Sequence, residues 1–212
     1  MDFSRDEIGD VLARELYLSA GLDCGLAHGA PSVAAAVLGE ACLRFMPHDD
    51  LPGRSLILHD GARWVIHVRD TLNDRQLNHA VAHELGEWFL RRRGYAEPDV
   101  EALSNCVAAA ICVPRPAFKT ALRELGQDVS ALSQRFLVSE SMMSLRIAEY
   151  LGTPTALITE KVVLTRGEAR AWPTTRQGWA GLVCRARTGK SKLTLRRLRD
   201  APERMVLRDS KK

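Results

Sequence analysis

Near the middle of this 212-residue chain, a histidine and two glutamates stand at helical spacing. In the run His79-Ala-Val-Ala-His83-Glu84-Leu-Gly-Glu87, the side chains of His83 and Glu87 are four residues apart, so they leave one helix face a turn apart. Imidazole nitrogen and carboxylate oxygen both bind zinc. Glu84 is rotated from His83 by about 100° and can approach the same ion from the side. The pattern predicts a metal site with a carboxylate that activates water.

A catalytic zinc site needs three protein ligands and one open position, and this helix supplies only two. All six histidines lie between His28 and His83, so a ligand from farther along must be Asp, Glu or Cys. Glu101 on the next helix is the natural donor if the two helices pack antiparallel.

Two other readings of the same residues remain open. His79 and His83 are also four residues apart and could form the chelate, but Ala80 would then stand where the base belongs. Alternatively there is no functional metal, in which case Glu87 is a surface carboxylate and His83 a satisfied buried imidazole.

Capping and periodicity signals predict the elements that must position these residues. Asn73 to Gln76 has a capping pattern and predicts a helix over 74–93, followed by a helix from about Pro98 that ends before Pro114. Two strand-like runs flank Asp60-Gly61 and predict a hairpin with a tight turn there. The other expected elements are helices at 4–19, 31–43, 117–125, 128–137 and 139–151, and strands within 161–200 with a turn at 188–190.

These segments together resemble the ImmA/IrrE metallopeptidases. The resemblance covers roughly residues 50–118 and is carried by five segments: Trp64-Val-Ile-His-Val68, a charged link ending in Asp74-Arg-Gln76, Ala82-His-Glu-Leu-Gly86, Glu101-Ala-Leu-Ser-Asn105 and Ala108-Ala-Ala-Ile-Cys-Val-Pro114. It implies an α+β, zincin-like core with a small sheet and a metal-bearing helix pair. It also implies that His83 is a zinc ligand, Glu84 the general base and Glu101 the ligand from the second helix.

Position 87 departs from the family pattern, because Glu87 stands where the family has a second histidine. Carboxylate is an accepted zinc ligand. A His/Glu/Glu set, however, places two negative charges on the cation and so weakens its pull on bound water. We therefore expect slower hydrolysis near neutral pH and a metal preference that includes Mn²⁺ beside Zn²⁺.

Beyond the helix pair, the sequence predicts two further parts. The domain boundaries are 1–116 for the peptidase domain, 117–155 for a helix-turn-helix-like segment and 156–212 for a β-rich basic appendage. Apolar positions from Leu132 to Leu151, with Ser139 as a cap, favour the helix-turn-helix arrangement. The surface of its second helix is mixed rather than basic, so a structural or protein-docking helical pair is preferred over a DNA reader.

The charge distribution is asymmetric along the chain. Residues 185–212 hold 11 Lys and Arg against 3 acids, whereas residues 1–184 hold 19 against 23. A basic tail can contact nucleic acid weakly, but a solvated strand face has the same composition. No apolar run approaches the roughly 20 residues of a membrane helix. The acidic start and five scattered cysteines favour the cytoplasm over secretion.

Taken with the resemblance, these features predict a cytoplasmic zinc metalloendopeptidase. The family resemblance implies that it cleaves a protein partner such as a helix-turn-helix repressor or an antitoxin, in a stress-response or mobile-element context. A different class is the alternative: a catalytically impaired pseudo-peptidase that binds protein or DNA as a regulator. Glu87 is the feature that favours this alternative.

Overall fold

The computed structural model describes residues 5–151 and the strand segments 155–158, 163–166, 193–197 and 205–209. The described residues are α+β, as the sequence predicts, with seven α-helices and two small sheets. The chain divides into two compact units, residues 1–138 and 139–212.

The described residues of the first unit form six α-helices, a short 3-10 helix (His48–Asp50) and a three-stranded sheet. Its strands lie in the order β1-β3-β2, with β1 parallel and β2 antiparallel to β3, so β2 is an edge strand. The elements, in chain order, are α1 (Arg5–Ser19), α2 (Ala30–Leu38), β1 (Leu43–Met46), β2 (Ser55–His59), β3 (Trp64–Arg69), α3 (Asp74–Arg92), α4 (Glu97–Cys112), α5 (Arg115–Leu125) and α6 (Val129–Arg135).

The stretch predicted as one helix over 31–43 is wrong in its second half. Helix α2 ends at Leu38, and Gly39 follows with a φ of +100°, which favours glycine. The chain then extends into β1, whose parallel pairing with β3 matches Leu43 with Ile66. This pairing partner lies 23 residues away, so local propensity does not reveal the strand.

The predicted hairpin is present, with its tip one residue later than expected. The Asp60 amide donates to the Arg63 carbonyl at 3.0 Å, which leaves Gly61 and Ala62 at the tip. The Asp60 carboxylate accepts the amides of Arg63 (3.0 Å) and Ala62 (3.1 Å), and these bonds hold its pKa below the usual range. Gly61 has a φ of +95°, which a glycine adopts without strain.

Helices α3 and α4 form the predicted pair. Asn73 and Gln76 make both hydrogen bonds of a capping box at the start of α3. The two helices approach closely at Gly86, where a Cβ would stand 3.3 Å from Val107 and 3.4 Å from the Ser104 carbonyl. Helix α1 packs on α4, and the buried Tyr17 hydroxyl donates to the Ile111 carbonyl at 2.9 Å. The α3 residues are thereby fixed against the core.

The described residues of the second unit form α7 (Glu140–Leu151) and a four-stranded antiparallel sheet of order β5-β4-β7-β6. Its strands are β4 (Thr155–Ile158), β5 (Val163–Arg166), β6 (Leu193–Arg197) and β7 (Met205–Asp209). Strands β5 and β6 fall within the predicted range 161–200. The predicted turn at 188–190 lies outside the described residues, and the helix-turn-helix arrangement stays a prediction. Among the described helices, none has the length and apolar character needed to cross a bilayer.

Candidate active site

His83 and Glu87 meet on one face of α3, as their spacing predicts. His83 Nε2 lies 3.1 Å from Glu87 Oε1, and the two side chains are 22% and 15% exposed. The other ring nitrogen, Nδ1, is buried without a hydrogen-bond partner among the described residues.

The second oxygen of Glu87 belongs to a chain of ion pairs. Glu87 Oε2 contacts Arg91 Nη1 at 2.9 Å, and Arg91 Nε contacts Glu97 Oε1 at 3.1 Å. The hydrogen bond from Arg91 to Glu97 raises the pKa of Arg91, and the negative charges of Glu87 and Glu97 raise it further. Glu87 therefore has a histidine on one side and a permanent cation on the other.

Glu84 is placed between α3 and the edge strand β2, apart from the Glu87 carboxylate. The side chain is 6% exposed. Its Oε1 accepts the Ser55 hydroxyl at 2.8 Å and its Oε2 the Ile57 amide at 3.0 Å. Burial raises the pKa of Glu84, helped by the charge of Glu87 and opposed by the Ser55 hydrogen bond. Glu84 is therefore a desolvated carboxylate that joins α3 to the edge strand β2.

His79 lies one turn before His83 on the same stripe of α3. The two rings are nearly parallel, with centroids 6.3 Å apart. Burial lowers the pKa of His79 to about 4, with smaller contributions from His83 and Arg54. His79 is therefore neutral at pH 7.

This lowered pKa predicts a specific loss of stability in acid. The folded pKa of His79, about 4, lies below the 6.5 of an ordinary histidine, so the unfolded chain binds the proton first. Stability from this group is full above pH ~6.5 and falls by roughly 3 kcal/mol toward pH 4. We expect urea unfolding at pH 7 and pH 4 to show a smaller loss for His79→Gln than for wild type. The exposed control His48→Gln should match wild type, and an unchanged loss in His79→Gln would contradict the assignment.

The third predicted ligand is not grouped with the first two. Glu101 is an exposed residue of α4 whose backbone carbonyl accepts the Ser104 hydroxyl at 3.3 Å. Across residues 5–151 and the four described strand segments, no three His, Cys, Asp or Glu side chains are close enough to hold one ion. The roles of all five predicted site residues stay predictions: His79, His83, Glu84, Glu87 and Glu101.

The His83 and Glu87 pair nevertheless fits two positions of a metal site. Two ligand atoms at ~2.0–2.2 Å from a tetrahedral zinc ion lie roughly 3.4 Å from each other. The nitrogen and oxygen stand 3.1 Å apart here, so only a small separation is needed to admit an ion. The donor types and the spacing are compatible with a cation at this pair.

The family assignment follows from the sequence between β1 and α7. The Peptidase M78 family, described as the IrrE N-terminal-like domain, matches residues 43–148, a range that includes the hairpin and the α3–α4 pair. The chain belongs to this family, which confirms the ImmA/IrrE resemblance.

Solved structures support the same fold. A Mycobacterium tuberculosis transcriptional regulator superposes with a TM-score of 0.54 at 18% identity, over 77% of this chain and 57% of that chain. The chain thus spans little more than half of that regulator, and the likeness concerns the fold alone. None of the curated proteins matches the chain significantly.

Sequence reasoning missed three partners of the site. Arg91 follows Glu87 by four residues, an order that favours an ion pair on a helix, so this contact could have been found. Ser55 and the Ile57 amide could not, because they reach Glu84 only through the packing of β2 on α3.

Proposed function

We propose that the chain is a metal-dependent endopeptidase that cleaves a protein partner, such as a helix-turn-helix repressor or an antitoxin. The observation that carries the proposal is the convergence of His83 and Glu87 at 3.1 Å on a helix of a peptidase family. Glu101 is the proposed third ligand and His79 the alternative. Zinc is the proposed ion, with manganese as the alternative. A bound ion of this kind polarises the scissile carbonyl and lowers the pKa of water.

Glu84 is the proposed general base. Each oxygen already accepts one hydrogen bond, but a carboxylate oxygen has a second lone pair that can accept a proton from water. The raised pKa of Glu84 brings its basicity closer to neutral pH, where general-base catalysis is most effective. The bonds to β2 hold the carboxylate in one orientation throughout this step.

We propose the cytoplasm as the site of action. The described thiols of Cys42 and Cys112 are buried, and burial raises the pKa of Cys112 to about 12. Such thiols are inert core groups rather than members of a secreted disulfide framework.

A second candidate is a regulator that keeps this scaffold without catalysis and binds protein or DNA, the latter through its basic C-terminal tail. The observation that favours it is the contact of Arg91 with Glu87, which opposes an incoming cation. Replacement of Glu87 by His would discriminate between the candidates. A rise in peptidase activity in Glu87→His indicates a weakened catalytic site.

The endopeptidase proposal is tested by N-terminal labelling and mass spectrometry of cells that produce the full chain. Wild type should create new protein N-termini, and His83→Ala should not. If the two proteomes carry the same N-termini, the endopeptidase proposal fails.

A further inference from the structure

Glu87 is shared between two groups that compete for its charge. Its Oε1 faces His83 Nε2, where the proposed ion would sit, and its Oε2 faces Arg91 at 2.9 Å. Arg91 in turn is shared, because its Nε contacts Glu97 at 3.1 Å. Glu97 is 73% exposed and Glu87 only 15%, so the Arg91 contact with Glu87 is the better shielded of the two.

We propose that Arg91 is a built-in counter-ion for Glu87 that lowers the affinity of the His83 and Glu87 pair for a divalent cation. This inference rests on the metal site of the proposed function and adds a positioning residue that controls how tightly that site binds. Glu97 affects the affinity indirectly: because Arg91 also contacts Glu97, its positive charge is shared between two carboxylates and neutralises Glu87 less completely.

The physical basis is charge balance around one carboxylate. A guanidinium already neutralises Glu87, so an ion entering on the His83 side adds two positive charges beside a third. Water screens the repulsion between the ion and Arg91 only in part, because His83, Glu87 and Arg91 lie on a partly buried face. The same guanidinium also offsets one of the two negative charges that a His/Glu/Glu set would carry. Arg91 thus makes Glu87 a weaker ligand, and the net charge of the Glu87 and Arg91 pair is zero, like that of the neutral histidine in the family pattern.

The neighbouring arginines do not share this position. Arg92 lies over the Trp88 ring at 5.0 Å. Arg93 lies over the Phe89 ring at 5.1 Å and pairs with Glu15 at 2.8 Å. Arg92 therefore provides a matched control, with the same charge one residue away on the same helix and without a described contact to Glu87.

The experiment is a competition titration of Zn²⁺, and separately of Mn²⁺, between a chromophoric chelator and the full-length chain. Arg91→Gln should bind Zn²⁺ about tenfold more tightly than wild type, whereas Arg92→Gln should match wild type. Arg91→Lys keeps the charge and should restore an affinity near wild type. In Glu97→Gln, Arg91 keeps only its contact with Glu87, so Zn²⁺ binding should weaken a few-fold. Circular dichroism of each variant checks that the helices are intact.

The outcomes separate this inference from the proposed function. Equal affinity in Arg91→Gln and Arg92→Gln, with wild-type binding lost in His83→Ala, overturns the role of Arg91 and leaves the metal site standing. Binding that persists in His83→Ala, or no binding in any variant, overturns both. Binding by Arg91→Gln where wild type binds too weakly to measure supports both.

Discussion

The Glu84→Gln variant is expected to fold as wild type does and to lose cleavage by a factor of about 10²–10⁴, the usual contribution of a general base. Gln has the shape of Glu but cannot take a proton from water. Its amide oxygen can accept the Ile57 amide, and its NH₂ can donate to the Ser55 hydroxyl oxygen, so both contacts to β2 survive.

The measurement compares the yield of new protein N-termini for Glu84→Gln and wild type, together with their thermal unfolding. Glu84→Ala is the contrasting variant, because it leaves the Ser55 hydroxyl and the buried Ile57 amide without their acceptor. It should lose stability by about 1–3 kcal/mol in addition to activity. Cleavage by Glu84→Gln at the wild-type rate would rule out Glu84 as the base.

The Asn78→Ala variant is expected to destabilise the first unit by about 2–4 kcal/mol. Asn78 is 2% exposed. Its Oδ1 accepts the Ala30 amide at 2.7 Å, and its Nδ2 donates to the carbonyls of Phe136 and Leu137, each at 3.1 Å. One amide thus connects the start of α2, the helix α3 and the chain after α6. Its removal leaves three backbone groups without partners.

Thermal unfolding provides the measurement for this prediction. For a chain of this size, each kcal/mol shifts Tm by about 2–4 °C, so Asn78→Ala should lower Tm by roughly 5–15 °C. The exposed Asn105→Ala is the matched control and should change stability by less than about 0.5 kcal/mol. A Tm for Asn78→Ala equal to that of the control would show that these hydrogen bonds contribute little.

The sequence predicts correctly those parts of the fold whose signals lie within a few residues of each other. The capping box of Asn73 and Gln76 lies within four residues, and the helix it begins is confirmed. The strand β1 depends on a parallel partner in β3, and the sequence does not predict it: the helix predicted over 31–43 extends into its first residue, Leu43. The hairpin was predicted from Asp60-Gly61, but the Asp60 carboxylate, by accepting two amides, moves the tip to Gly61 and Ala62.

The same distinction holds at the candidate site. The contact of His83 with Glu87 follows from spacing on one helix, and so does the contact with Arg91. The hydrogen-bond partners of Glu84 depend on where β2 packs against α3, and no local sequence pattern predicts that packing. The position of Glu101 likewise depends on the rotation of α4 about its own axis, which periodicity predicts only coarsely.

The central claim is that His83 and Glu87 hold a metal ion, and metal content tests it most directly. The full chain should be purified without chelator and measured by elemental mass spectrometry, beside His83→Ala, Glu87→Ala and Glu101→Ala. We expect about one zinc or manganese ion per wild-type chain, lost in His83→Ala and Glu87→Ala, with loss in Glu101→Ala identifying the third ligand. Wild-type protein without metal even after reconstitution, or metal retained in His83→Ala, would contradict it.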